Sequence, residues 1–220
     1  MKYSDLENEW SWKWFQFILD NPDKEWKWGM FGLSENPNIT WNIIQDNPDK
    51  EWDWDCISEN PNITWEIIQQ NPDYRWDWKG VSSNPNITLE IIQQNPDKPW
   101  VWWRISNNPN ITWELIQNNP NKPWCWWYIS LHSNITGGII QSNPDYPWEW
   151  DDTVWRNPNI TWDFIQERPN KHWGWISEHP NITWDIIQAN HDKPWQWWYI
   201  SQNPNITWEI IQQNPDKDWD

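Results

Sequence analysis

The tripeptide Asn-Ile-Thr returns along this chain at a nearly fixed interval, and that interval constrains the fold more than any other feature. Its threonine stands at Thr40, Thr64, Thr88, Thr112, Thr136, Thr161, Thr183 and Thr207, in steps of 24, 24, 24, 24, 25, 22 and 24 residues. A period of this length marks a repeat array, in which each unit buries its apolar face on its neighbours. The clearest copy runs from Asn60 to Ser82, NPNITWEIIQQNPDYRWDWKGVS.

Within a unit the local signals predict two short helices. The threonine hydroxyl can accept from the free N–H groups of a first helical turn. An acidic residue two places later (Glu66, Glu90, Glu114, Asp163, Asp185, Glu209) suits the helix dipole. Ile63 and Ile68 have the spacing of a hydrophobic staple. The following Asn-Pro ends the helix, because the residue before proline is pushed out of the α region. Asp49, Asp73, Asp97, Asp145, Asp192 and Asp216 are then expected to cap a second helix, with Pro99, Pro123, Pro147 and Pro194 in its first turn. Helices this short gain their stability from stacking.

The chain is therefore expected to be all-α: an α-solenoid of eight units of roughly 24 residues, each with two short helices. Residues 1–35 form an N-terminal cap and half unit, with one longer helix over Leu6–Asp20. Residues 36–220 form the array, as a single elongated domain. Terminal repeats are atypical because their outer face meets water. The chain stops at Trp219-Asp220 with no evident C-terminal cap.

The core has to come from tryptophan, of which there are 30. Each large aromatic buries roughly 150–250 Å². One expected column is Trp52, Trp76, Trp100, Trp124, Trp148, Trp173, Trp195 and Trp219; a second is Trp54, Trp78, Trp102, Trp126, Trp150, Trp175 and Trp197. Residues repeated at the period of the fold are first of all packing residues. The glutamine column (Gln45 through Gln212) and the asparagines before Pro (Asn47 through Asn214) read as a ladder serving backbone groups between units. Gly137-Gly138, the insertion near Asp151–Thr153 and the two-residue deletion near Trp173 make residues 131–180 the expected soft spot.

Residues that vary within columns are the candidate interaction surface: Trp103, Trp127, Trp198, Tyr128, Tyr199, Arg75 and Arg104. The net charge of -17 disfavours nucleic acid and anionic membranes, which need clustered Lys and Arg. No apolar run is long enough to span a bilayer, and the polar N-terminus lacks a secretory pattern. Without secretion the N-I-T sequons are silent. Cys56 and Cys125 lie in different columns and form no disulfide framework, which points to a reducing compartment. His172, His179 and His191 match no metal pattern and read as surface substitutions. No catalytic motif and no cofactor signature appears, so a non-enzymatic chain is expected.

The units N-P-N-I-T-W-E-I-I-Q (Asn203–Gln212) and N-P-D-K-P-W-x-W-x-x-I-S (Asn95–Ser106) resemble the tryptophan-rich tandem-repeat proteins of giant DNA viruses of amoebae, the mimivirus relatives. The resemblance covers nearly the whole chain from Asn21 onward. It implies a viral protein acting in infected host cytoplasm or in the virion, and it brings no catalytic residues. Three functional readings follow: a platform for a host or viral protein, a structural subunit that self-associates end to end, and a glycan or small-ligand binder using the extra tryptophans.

Overall fold

A six-residue helix needs help at both ends, and the repeat supplies it from its own side chains. In the computed structural model, which describes residues 3–168 and 170–220, Thr64 Oγ1 accepts from Ile67 N (3.4 Å) to open the helix Trp65–Gln70. Met1, Lys2 and Pro169 lie outside the described residues. At the other end Asn71 Nδ2 donates to Ile67 O (2.8 Å), and Asn71 N to Ile68 O (3.4 Å). The helices Trp41–Asp46, Leu89–Gln94, Trp113–Asn118, Gly137–Ser142, Trp162–Gln166, Trp184–Ala189 and Trp208–Gln213 each have a capping threonine before them.

The chain divides into two compact units, 1–111 and 112–220, each built from the same stacked repeat. Among the described residues every regular element is helical, and each unit is a stack of helix pairs of the α-solenoid type. The N-terminal helix Tyr3–Asp20 takes the place of a first helix. Its Phe15 is fully buried and stacks on Trp52 at 6.1 Å, as Trp41 packs on Trp76 at 5.5 Å.

The aspartates of Asn-Pro-Asp do not cap the second helix. They sit in a turn, in which Lys50 N donates to Asn47 O (3.3 Å) and Trp52 N to Lys50 O (2.8 Å). The second helix starts four residues later than a cap at Asp49 would set it, at the second tryptophan: Trp54–Glu59, Trp78–Ser83, Trp126–Leu131. Asp53 and Asp77 are its carboxylate caps; Asp77 Oδ1 accepts from Lys79 N (2.7 Å) and Gly80 N (3.3 Å). Two reasons favour this start. A helix capped at Asp97 would force Lys98, which precedes Pro99, into the disfavoured α region. The extended segment also lets the first tryptophan reach back, so that Trp76 Nε1 donates to Asn71 O (2.8 Å) and Trp100 Nε1 to Asn95 O (2.7 Å).

Repeats are tied together chiefly by asparagine and serine; of the glutamine column, Gln141 reaches the next repeat, donating to Glu167 Oε2 (3.0 Å). Asn84, fully buried, donates to Ser58 O (2.9 Å), Asn60 O (3.0 Å) and Ile63 O (3.0 Å) of the preceding repeat. Asn86, of the N-I-T motif, donates to Pro61 O (2.7 Å) and Ile63 O (3.0 Å). Buried Ser58 accepts from Asp77 N (2.9 Å), and Ser82 from Val101 N (3.0 Å). The glutamines of the expected ladder are exposed. The asparagines of the expected column from Asn47 to Asn214 serve carbonyls inside their own repeat, as Asn47 Nδ2 donates to Ile43 O (2.8 Å) and Asn95 Nδ2 to Ile91 O (2.7 Å).

The tryptophan columns meet edge to face across repeats: Trp54–Trp76 at 5.4 Å and 88°, Trp126–Trp148 at 5.2 Å and 89°, Trp197–Trp219 at 5.1 Å and 84°. Two expected assignments change: Trp175 stands third in the helix Trp173–Glu178, at the register of Arg104 and Tyr128 and out of the second column, and Trp173 leaves the first. Trp173 opens the helix Trp173–Glu178 and meets Trp195 at 5.1 Å and 85°, so it belongs to the second column. The two-residue deletion removes the first-column tryptophan of that repeat. Lys171 stands at its register, and its ammonium donates to Arg168 O as an indole would to asparagine.

Candidate interaction surface

On the second helix the side-chain register follows helical periodicity. The first tryptophan packs across the repeat joint. The fourth residue is buried (Ile105, Ile129 and Ile200 at 0% exposure), and the second is turned outward. Trp103, Trp127 and Trp198 occupy that second position and are 38%, 37% and 53% exposed. Arg104, Tyr128 and Tyr199 follow at the third, half-buried.

These pairs brace each other. The Arg104 guanidinium lies 4.5 Å from the Trp103 ring centre and 3.9 Å from Glu59 Oε2. Trp127 meets Tyr128 edge to face at 4.8 Å, and Trp198 meets Tyr199 likewise at 4.8 Å. The first pair belongs to unit 1–111 and the other two to unit 112–220. Arg75 is exposed but sits in the segment before a second helix, at the register of Pro99, so it does not share this register. Chemically the surface offers π faces, a guanidinium and phenols.

The sequence pattern missed four exposed apolar side chains before the first full repeat. Trp10, Phe17, Met30 and Phe31 are 72%, 57%, 61% and 85% exposed. A cavity of 420 Å³ beside Met30 and Phe31 is lined by Glu35, Cys56, Glu59 and Arg104. Burial, with Asp53, Glu35 and Asp55 nearby, pushes the Cys56 thiol up to about 12. Burial also raises the Glu59 carboxyl, against the Arg104 charge. Irregular residues give no periodic signal, so only composition could have marked them.

The histidines are not uniformly surface substitutions. His172 caps Trp173–Glu178, its Nδ1 accepting from Trp175 N (3.3 Å). His179 is 2% exposed and stands in the asparagine ladder: Nδ1 accepts from Asn181 N (3.1 Å), and Nε2 lies 2.9 Å from Asn157 O, which requires the Nε2–H tautomer. Burial lowers its affinity for a proton. His132 holds the same register, accepting from Asn134 N (3.1 Å). His191 is exposed.

Among the described residues no group of three or more His, Cys, Asp or Glu is placed to hold a metal ion. No helix among them is long and apolar enough to cross a membrane. Comparison with protein-family models, curated proteins and solved structures finds no match.

Proposed function

We propose that the protein is a non-enzymatic repeat scaffold that binds a protein partner, host or viral, in the cytoplasm of an infected cell or in a giant-virus particle. The observation that carries this reading is the exposure of Trp103, Trp127 and Trp198 at one register of the second helix, beside Arg104, Tyr128 and Tyr199. Trp, Tyr and Arg are the residue types that dominate interface energetics. The packing of the array does not need these rings, because Lys79 and Gly174 occupy the same register elsewhere.

The test is affinity capture from infected-cell lysate with the wild-type chain and with the triple variant Trp103→Ala, Trp127→Ala, Trp198→Ala, both checked for unchanged helicity. A partner held by the wild type and lost by the folded variant supports the scaffold. A capture profile indifferent to the three rings removes this surface.

End-to-end self-association is the second reading, favoured by Trp208. It is 69% exposed, whereas Trp65 at the same register is 7% exposed beneath Trp100. Light scattering across a hundredfold range of concentration decides it: constant mass at 27.3 kDa rejects it, and growth that Trp208→Asp abolishes supports it.

A further inference from the structure

Successive repeats leave a slot between them, and its filling differs from joint to joint. The residue three after each turn asparagine is delivered against the second-column tryptophan of the preceding repeat. Where that residue is tyrosine, its ring occupies the slot. Tyr74 lies 5.0 Å from Trp41 and 5.3 Å from Trp54; Tyr146 lies 4.8 Å from Trp113 and 5.3 Å from Trp126.

At two joints where the residue is lysine, the ammonium stands off. Lys50 Nζ is 6.0 Å from the Trp28 ring centre, and Lys217 Nζ is 5.9 Å from that of Trp197. Open volume remains at these two joints: 390 Å³ along Trp26, Trp28 and Lys50, and 480 Å³ along Trp184, Trp197 and Lys217. Both volumes lie in the range of small-ligand sites. The tyrosine joints show what fits, namely a six-membered aromatic ring set against two tryptophans.

These two slots differ in charge. Glu25 and Glu51 line the first beside Lys24 and Lys50. The second is lined by Lys193, Lys217, His191 and Gln188, with no carboxylate on its wall. Lys193 and Lys217 do touch their sequence neighbours Asp192 (2.7 Å) and Asp216 (2.8 Å). Solvent-exposed pairs of this kind are worth little, so either ammonium can turn to a bound anion.

We propose that the slot between Trp184, Trp197 and Lys217 is a binding site for an aromatic ring carrying a carboxylate. The ring takes the place that Tyr74 and Tyr146 fill elsewhere, and the carboxylate meets Lys193 and Lys217. The scaffold reading matters here only for the natural source of the ring, an aromatic side chain next to an acidic group on the partner. The affinity of the slot is measurable without that partner.

The experiment follows the tryptophan indole N–H signals by NMR during titration of the whole chain with N-acetylphenylalanine, its amide and glucuronate. The acid is expected to move the Trp184 and Trp197 signals with a Kd on the order of 1 mM. The uncharged amide should bind at least about fivefold more weakly, the loss of a modest ionic contact. Glucuronate, which has the charge without the aromatic ring, should move neither signal. Lys217→Tyr should abolish the response by plugging the slot, and it keeps the fold because the protein already carries tyrosine at this register. Lys50→Tyr should leave the response intact.

Equal binding of acid and amide overturns the proposal. So does an unchanged response in Lys217→Tyr, or no response to any probe. A scaffold whose partner ignores Trp103, Trp127 and Trp198 would lose its surface and leave this slot standing, so the two failures are told apart.

Discussion

The joint between the repeats that begin at Asn60 and Asn84 is regular, and the stretch from His132 to His179 is not; yet both satisfy the same contacts. In the regular joint the ladder residue is an amide, Asn84, donating to three carbonyls. In the irregular stretch Asn157 does this for Ser130 O (2.8 Å), His132 O (3.3 Å) and Ile135 O (3.1 Å), while His179 reaches Asn157 O through an imidazole. The tryptophans are exchanged too. Gly137 replaces the leading tryptophan, and a Cβ there would come within 2.9 Å of Phe164. Phe164 stacks on Trp150 at 6.3 Å and 4°, and Trp155, 1% exposed, donates its indole N–H to Trp150 O (2.6 Å). Close packing is kept while residue identities change, and the ladder position stays hydrogen-bonded, although His179 makes one donation where Asn84 makes three.

The largest expected effect breaks the regular side. Asn84→Ala removes three buried hydrogen bonds, to Ser58 O and to Asn60 O and Ile63 O, of which the last two keep Ile63 N and Asn86 as donors, and it should cost about 3 kcal/mol by urea denaturation, about 1 kcal/mol for each bond lost. A loss no greater than that of a surface change would remove the ladder from the account. Gly137→Trp tests the irregular side. It restores the common residue but drives a ring into Phe164, so it should destabilise by about 2 kcal/mol. Adding Phe164→Ile should recover much of that loss, and a double-mutant cycle with no coupling would refute the exchange.

The imidazole sharpens the comparison through pH. His179 has its proton affinity lowered by burial, so the unfolded chain takes up protons more readily. Its contribution to stability is present above the unfolded value of 6.5 and lost as pH falls below it toward the folded value. Protonation puts N–H on Nδ1, facing the Asn181 N–H. In His179→Asn this part of the pH dependence should vanish, and melting curves that keep it place its origin elsewhere. The smallest effect is Gln69→Ala. Its side chain is exposed, so stability should stay within about 0.5 kcal/mol.

Periodicity made the repeat, its helix pair and the threonine caps readable, because a cap acts over three residues and leaves its mark locally. It also marked Trp103, Trp127 and Trp198, since a ring absent from some repeats is not needed for packing. It did not distinguish which polar column builds the ladder. Glutamine and asparagine offer the same amide chemistry, and only the path of the chain after Asn-Pro decides which amide meets a carbonyl. The Asp-to-helix assignment failed for a similar reason: the local cap signal was real, but the reach of Trp76 to Asn71 O holds that segment extended.

The sequence by itself determined the all-helical repeat, its length and its capping, because those depend on residues close together in the chain. Tertiary structure alone decided that Lys171 takes a tryptophan's register, that His179 is a buried ladder member, and that Tyr74 fills a slot which Lys217 leaves open. The histidine and tyrosine placements depend on contacts between residues about one repeat apart, and packing, unlike capping, is set by the neighbour's shape as much as by the residue itself.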